Sequence, residues 1–257
     1  ANTIGVYNNA FGTNALPVNT IGNYNVAIGN QTLYNNISGN VNVAVGYQAL
    51  INNTSGSANV TVGHQSLYSN LIGNNNTAVG NQTLSANLAS NNVAIGFEAL
   101  ENNTSGEYNT AIGSSVLQSN TSGGSNTAGG YTSLKSNTTG QYNTAFGNAS
   151  LMSNTTGSLT VLGKLAMYAN TTGTENTAVG QSSLEGNTTG NSNTAVGYYA
   201  GKAITTGTSN LAIGQNAGTG TTTGVGNVSV GYYTLSSATT TSYNTAIGYE
   251  ALKGAAV

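Results

Sequence analysis

One pentapeptide, Asn-(Thr/Val)-Ala-(Val/Ile)-Gly, returns through the whole chain at nearly constant spacing, as in Asn193-Thr194-Ala195-Val196-Gly197. Its closing glycine falls at Gly12, Gly29, Gly46, Gly63, Gly80, Gly96, Gly113, Gly130, Gly147, Gly163, Gly180, Gly197, Gly214, Gly231 and Gly248, so twelve intervals are 17 residues and two are 16. A period of this size is the mark of a solenoid, in which one coil cannot bury its apolar side alone and must stack on its neighbours. Seventeen residues are too few for a βαβ unit or a helix pair. The period therefore predicts an all-β fold: a parallel β-solenoid (β-roll or β-helix) of about fifteen 17-residue coils, with two or three short strands per coil. Stacked coils rise about 4.8 Å each, which predicts an elongated rod on the order of 70 Å.

Positions are numbered from each repeat glycine, written G. Four residues later, at G+4, stands a leucine column that includes Leu33, Leu50, Leu84, Leu117 and Leu184, with Met167 once and with Gly201 and Gly218 as breaks. Just before the glycine stands a branched or aromatic column, among them Ile28, Val79, Ile112, Phe146 and Val196. These two columns read as the core. The residue between the branched one and the start of the strand is small, as in Ala27, Ala94, Ala111 and Ala195. Neighbours in a strand point to opposite faces, so this alanine column reads as an outward face kept small for something packed close to it. The lone Pro17, near the N-terminus, offends no interior ladder.

Between strands lies turn chemistry, as in Asn137-Thr138-Thr139-Gly140: glycine reaches φ > 0 without strain and asparagine bonds local backbone. A second asparagine column, including Asn25, Asn42, Asn59 and Asn193, precedes each strand. In-register asparagines are able to form hydrogen-bonded ladders from coil to coil. Both 16-residue intervals lose a residue in a loop, read as the stretch between turn and strand near Ala89-Ser90-Asn91 and near Gly157-Ser158-Leu159. Between Gly197 and Gly231 the pattern loosens, with Gly201 and Gly218 for leucine and Ile204 and Thr221 for the turn asparagine; this is either a contact site or repeat drift.

Composition narrows the chemistry. Charged residues are 4% of the chain, and the net charge is -2. No basic patch exists to neutralise phosphates, so nucleic acid is not an expected partner. The 37% hydrophobic share, recurring in register, argues against disorder. There is no cysteine, hence no disulfide or thiolate chemistry. No apolar run approaches the eighteen or so residues a membrane helix needs, so membrane insertion is not expected. A catalytic site needs converging titratable groups, and here His64 stands alone with no aspartate for a Ser-His-Asp triad. The repeats lack the aspartates of calcium-binding β-rolls, and no phosphate-loop lysine accompanies the glycines. Catalytic residues, metal ligands and cofactors are all expected to be absent. Glu98, Glu101 and Glu107 form the only local acid cluster, read as solvated surface. Strings such as Asn137-Thr138-Thr139 match the glycosylation acceptor, but the turn itself demands the same residues.

Two surface patterns could carry binding. Tyr47, Tyr198, Tyr232 and Tyr249 share the column after the repeat glycine, and Tyr24, Tyr108, Tyr142 and Tyr243 share one in the loop before the strand. Aromatic rings on a neutral polar surface stack on sugars with little loss of entropy, which suits a cell-surface glycan or another host surface. Thr104, Thr121, Thr138, Thr155, Thr171, Thr188, Thr205, Thr222 and Thr239 occupy one column, and a regular threonine row of this kind resembles the faces of ice-binding β-solenoids.

The NTAVG and NVAIG strands resemble the YadA-like head repeats of trimeric autotransporter adhesins, and the longer strings NTAVGYYAG and NTAIGYEALK with their NTTG turns resemble repeats of bacterial and phage tail-fibre proteins. The coil here is longer than in those heads, and the extra residues go to the turn. The resemblance implies a parallel β-roll, three chains side by side, and an extracellular stalk or adhesive head on a cell surface or virion. The expectation is a non-enzymatic structural or adhesive fibre segment that self-associates as a homotrimer or end-to-end filament, with ice binding as the alternative. Residues 1–257 read as a single repeat domain. Because Ala1 begins inside a repeat and Ala255-Ala256-Val257 follows a partial coil, the expectation is a fragment of a longer fibre or a stacking subunit.

Overall fold

The computed structural model describes residues 4–237 and 240–254. Thr239 of the threonine column, and the terminal residues Ala1, Ala255, Ala256 and Val257, lie outside them. The described residues contain fifteen three-residue strands and no helix, and the fold is an all-β parallel β-solenoid of about 17 residues per turn. The chain groups into two compact units, 1–126 and 127–257.

The first unit holds β1 (Asn9–Phe11), β2 (Val26–Ile28), β3 (Val43–Val45), β4 (Val60–Val62), β5 (Thr77–Val79), β6 (Val93–Ile95) and β7 (Thr110–Ile112). The second holds β8 (Thr127–Gly129), β9 (Thr144–Phe146), β10 (Thr160–Leu162), β11 (Thr177–Val179), β12 (Thr194–Val196), β13 (Leu211–Ile213), β14 (Val228–Val230) and β15 (Thr245–Ile247). Within each unit consecutive strands pair in parallel with identical columns in register, Ala27 against Ala44 and Ala178 against Ala195.

Each coil carries one strand, where two or three were expected. The reason is backbone conformation. Residues G−5, G+2 and G+4 occupy the left-handed region in coil after coil, as at Tyr24 (φ 58), Gln31 (φ 56) and Leu33 (φ 50). These residues interrupt any extended run and turn N–H groups alternately to the two neighbouring coils: Gln31 N–H donates back to Thr13 O at 2.9 Å, while Leu33 N–H donates forward to Ala49 O at 3.1 Å. A bulky residue in this region is disfavoured by about 1–2 kcal/mol. Full burial of the leucine side chain contributes about 1.5–3 kcal/mol and outweighs it.

The alternation along the strand is as expected, but its sense is reversed. The middle residue points inward: Ala27, Ala44, Ala94, Ala111, Ala178 and Ala195 are completely buried. The branched column points outward, with Ile112 46% and Phe146 41% exposed. The core is therefore leucine against alanine, and what packs close to the small residue is the chain's own leucine. A Cβ built on Gly201, which stands in the leucine column, would lie 3.0 Å from Leu184 Cδ2, 3.1 Å from Ile204 Cδ1 and 3.6 Å from Ala195 Cβ. Those three groups meet across one narrow interior, where the strand's middle position is alanine in most coils and Thr61 or Val161 in two others. Ile204, buried at the turn-asparagine position, fills the space that the missing leucine leaves.

The repeat glycine follows from the stacking distance. Gly29 has φ +133, and a Cβ there would sit 2.5 Å from the carbonyl oxygen of Gly46 one coil on. No other residue satisfies both the angle and the contact.

The two short coils lose their residue inside the turn, not after it. Asn70 Nδ2 donates to Gly73 O three residues on, whereas Asn87 Nδ2 donates to Ala89 O only two residues on. Asn154 repeats this with Thr156. The turn Asn-x-x-Gly becomes Asn-x-Ala at Ala89, where alanine takes the glycine's place, and Asn-x-Thr at Thr156, where Gly157 follows one position late.

Substitutions at adjacent strand positions test the reversed sense. Ala111→Leu overpacks the interior and is expected to destabilise by about 1–3 kcal/mol in urea unfolding, whereas Ile112→Leu on the outer face is expected to stay within about 0.5 kcal/mol. The opposite ranking would put the branched column inside.

Candidate functional surfaces

Buried asparagine occupies much of the wall that positions the surface. In the column before the strand, Asn59 Oδ1 accepts the backbone N–H of Asn76 at 3.0 Å, while its Nδ2 donates to Asn42 Oδ1 at 3.1 Å and to Gly73 O at 2.9 Å. Each carboxamide thus satisfies groups on both neighbouring coils. The turn asparagines form a second ladder, Asn36 to Asn19 at 2.8 Å, Asn53 to Asn36 at 2.7 Å and Asn70 to Asn53 at 2.9 Å. The short coil interrupts it: Asn87 uses its amide on its own turn, and Asn70 Oδ1 is left buried without a hydrogen bond. The sequon reading of Asn137-Thr138-Thr139 meets the same geometry, for Asn137 is fully buried and its Nδ2 donates to Gly140 O. An oligosaccharide transferase has no access to that nitrogen in the folded chain.

The threonine column lies at the turns, outside the strands, with Thr104, Thr138, Thr155 and Thr171 exposed and Thr121, Thr188, Thr205 and Thr222 half-buried. Its hydroxyl protons are largely committed to the coil stack. Thr104 Oγ1 donates to Thr121 O at 2.9 Å, Thr155 to Thr171 O at 2.9 Å, Thr171 to Thr188 O at 3.0 Å, and Thr188 and Thr205 to the next threonine carbonyl at 3.2 Å. The sequence contained a second threonine row that passed unnoticed as a surface. Thr127, Thr144, Thr160, Thr177 and Thr194 open consecutive strands of the second unit and face outward beside the branched column.

The tyrosines are exposed as expected but fall into separate groups. In the first unit Tyr47 stacks on His64, with ring centroids 5.4 Å apart, which accounts for that histidine as a surface ring partner. Tyr7 stacks on Tyr24 at 5.1 Å. Tyr108, Tyr142 and Tyr243 stand outward at 63%, 66% and 81% exposure with no ring partner among the described residues. In the second unit Tyr232 stacks on Tyr249 at 5.3 Å, while one coil of Gln215 and Asn216 separates Tyr198 from this pair. Sequence reading missed Tyr199 and Tyr233, whose rings lie 4.0 Å and 4.6 Å from Tyr198 and Tyr232. The doublets were the available signal.

Charge is sparse and locally paired. Gln118 Nε2 donates to Glu98 and Glu101 at 2.8 Å each, so those two carboxylates are drawn together, and Glu107 lies apart on the loop before β7. Lys202 Nζ is 3.4 Å from Glu185 and 4.1 Å from the Tyr199 ring centroid. Lys253 bonds Glu250 at 2.6 Å and lies over Tyr233. Among the described residues no group of three or more histidine, cysteine or acidic side chains could hold a metal ion, and no helix is long and apolar enough to cross a membrane.

Comparison with family models, with curated proteins and with solved structures found no match to this chain.

Two measurements probe this layer. Asn59→Ala is expected to lower stability by about 1–3 kcal/mol by orphaning buried partners, whereas exposed Asn102→Ala changes it by about 0.5 kcal/mol or less; equal effects in urea unfolding would remove the ladder's role. The hydrogen bond with Tyr199 is the main cause that holds the Tyr198 phenol above the ordinary 10.0, burial and the charges of Tyr199 and Tyr233 adding to it. A raised phenol stays protonated longer, and the stability it contributes is complete at low pH and lost as pH climbs through the raised value. NMR titration of ring-labelled tyrosine should show one resonance ionising late, and Tyr199→Phe should move it down.

Proposed function

We propose that this chain is a structural and adhesive segment of an extracellular fibre, on a cell surface or virion, that self-associates through the outer face of its strands. The observation that carries the reading is that face itself. In the first unit it presents Val43, Val60, Thr77, Val93 and Thr110 beside Val45, Val62, Val79, Ile95 and Ile112, one pair per coil. No strand in either unit carries a charged residue. A row of branched side chains left half-exposed on successive coils is a contiguous apolar surface, and surfaces of that kind mark association sites.

A second copy of the chain is the natural occupant, because the face is self-complementary: it repeats at one coil spacing and its strands carry no charge to oppose themselves. The resemblance to trimeric adhesin heads and tail-fibre repeats supports a closed trimer, and closed symmetry is the usual outcome of such association. The alanine column takes no part, being inside. The reading requires no catalytic group.

Ice binding is the second reading, and the outer threonine row of the second unit favours it over the turn column, whose hydroxyl protons are engaged. Thr144 and Thr177 both pair in register with Thr160 on the parallel sheet, at regular spacing beside apolar residues.

Light scattering on the full chain decides the first reading. A mass that is a multiple of 25.7 kDa, reduced to the single-chain value by Val79→Glu with Ile112→Glu, is the expected result. A monodisperse monomer in the unaltered chain overturns it. For the second reading, thermal hysteresis lost in Thr144→Tyr with Thr177→Tyr is expected, and its absence from the unaltered chain removes the idea.

A further inference from the structure

The two coils that lack an interior leucine also differ from the others on the outside. Coil after coil, the G+4 residue is leucine or methionine, but at Gly201 and Gly218 it is glycine. These adjacent coils enclose a concavity of about 350 Å³ lined by Tyr199, Lys202, Ala203, Asn216 and Thr219. Small-molecule sites begin at about 300 Å³.

Asn216 is the telling residue. It is 7% exposed, and its carboxamide makes no hydrogen bond among the described residues, yet neither of its polar atoms is sealed from solvent. The residue lines the concavity. In the first unit three amides of the same column join one another: Gln48 Nε2 donates to Gln31 Oε1 at 2.8 Å, and Gln65 Nε2 to Gln48 Oε1 at 2.9 Å. At Asn216 the neighbouring coils offer Tyr199 and Tyr233 instead, so the ladder has no rungs to join. A buried amide with one acceptor and two donors left open is costly without a ligand or water to meet it.

The other walls define the ligand. Tyr199 supplies an aromatic ring that meets Tyr198 at 4.0 Å, and a ligand stacking on its other side takes the place of Lys202 Nζ, which lies over it at 4.1 Å. Thr219 Oγ1 donates to Asn216 O at 3.1 Å, which leaves its lone pairs free to accept. The one cation, Lys202, is already met by Glu185 at 3.4 Å and by the Tyr199 ring at 4.1 Å, so the site carries no uncompensated charge. An aromatic face, an open carboxamide and a hydroxyl acceptor around a neutral hollow match the C–H face and hydroxyl edge of a sugar ring. We infer that the concavity at Tyr199 and Asn216 binds a neutral pyranose residue of a glycan. The inference rests on the second unit alone and is independent of association through the sheet face.

The test is saturation-transfer NMR on the full chain with the methyl glycosides of glucose, galactose and mannose, and with methyl glucuronide as the acidic counterpart. Transfer to at least one neutral glycoside, stronger than to the glucuronide, is expected. Tyr199→Asn and Asn216→Gly keep residues that accept φ > 0 at positions of φ 58 and 56, and each should weaken that binding about tenfold. Tyr131→Ala, at an exposed ring outside the concavity, should leave it unchanged, which separates a built site from general tyrosine stickiness. No transfer to any neutral glycoside, preference for the glucuronide, or equal transfer in Tyr199→Asn with circular dichroism unaltered would each overturn the inference.

Discussion

Everything in this fold depends on backbone hydrogen bonds that no coil can make for itself. Gln31 reaches back to Thr13 and Leu33 reaches forward to Ala49, so the donors of one coil are satisfied by both neighbours. An unpaired buried backbone group is among the most expensive defects a protein can carry. The period is held for that reason, and glycine stands where two backbones approach too closely for a Cβ, as at Gly29 against Gly46. Even the two shortened coils shed their residue from the turn between Asn87 and Ala89 and between Asn154 and Thr156, where no strand register is disturbed.

The interior is narrow, and its width distributes the side chains. Leucine projects from a left-handed position across to an alanine methyl, while two files of asparagine line the remaining wall with ladders of carboxamides. Where one member changes, a neighbour answers it. Ile204 fills the gap at Gly201, and Thr61, standing in the alanine column, bonds the hydroxyl of Ser66. A core this thin leaves the larger branched residues no place except outside, which is how a chain with so little charge comes to present an apolar face.

The outer surface divides by function of position. Turn threonines hand their hydroxyl protons to the next coil and belong to the scaffold. The strand face is uniform and suits association with a copy of itself. Only the coils of Gly197 and Gly214 break the interior rule and the surface ladder together, leaving Asn216 open between tyrosines. Local breaks in an otherwise consistent pattern are where binding is to be sought.

Period, fold class, single-sign alternation along the strand and the asparagine ladders were legible from the residues alone, because each is a property of spacing and of what identical side chains do when stacked. The core was half legible. Leu117 could be placed inside from its column, but Ile112 and Ala111 could not be ranked, since hydropathy favours burying isoleucine and only the stacked coil shows that the strand's middle residue points inward. The number of strands was likewise hidden, because left-handed residues such as Leu33 look in sequence like ordinary strand formers. Tyr198 and Tyr232 were visible as a column, whereas the concavity beside Tyr199 was not. Its open amide was hidden too, because Asn216 has tyrosine on both adjacent coils and no amide partner, a relation between residues seventeen apart that only stacking brings together.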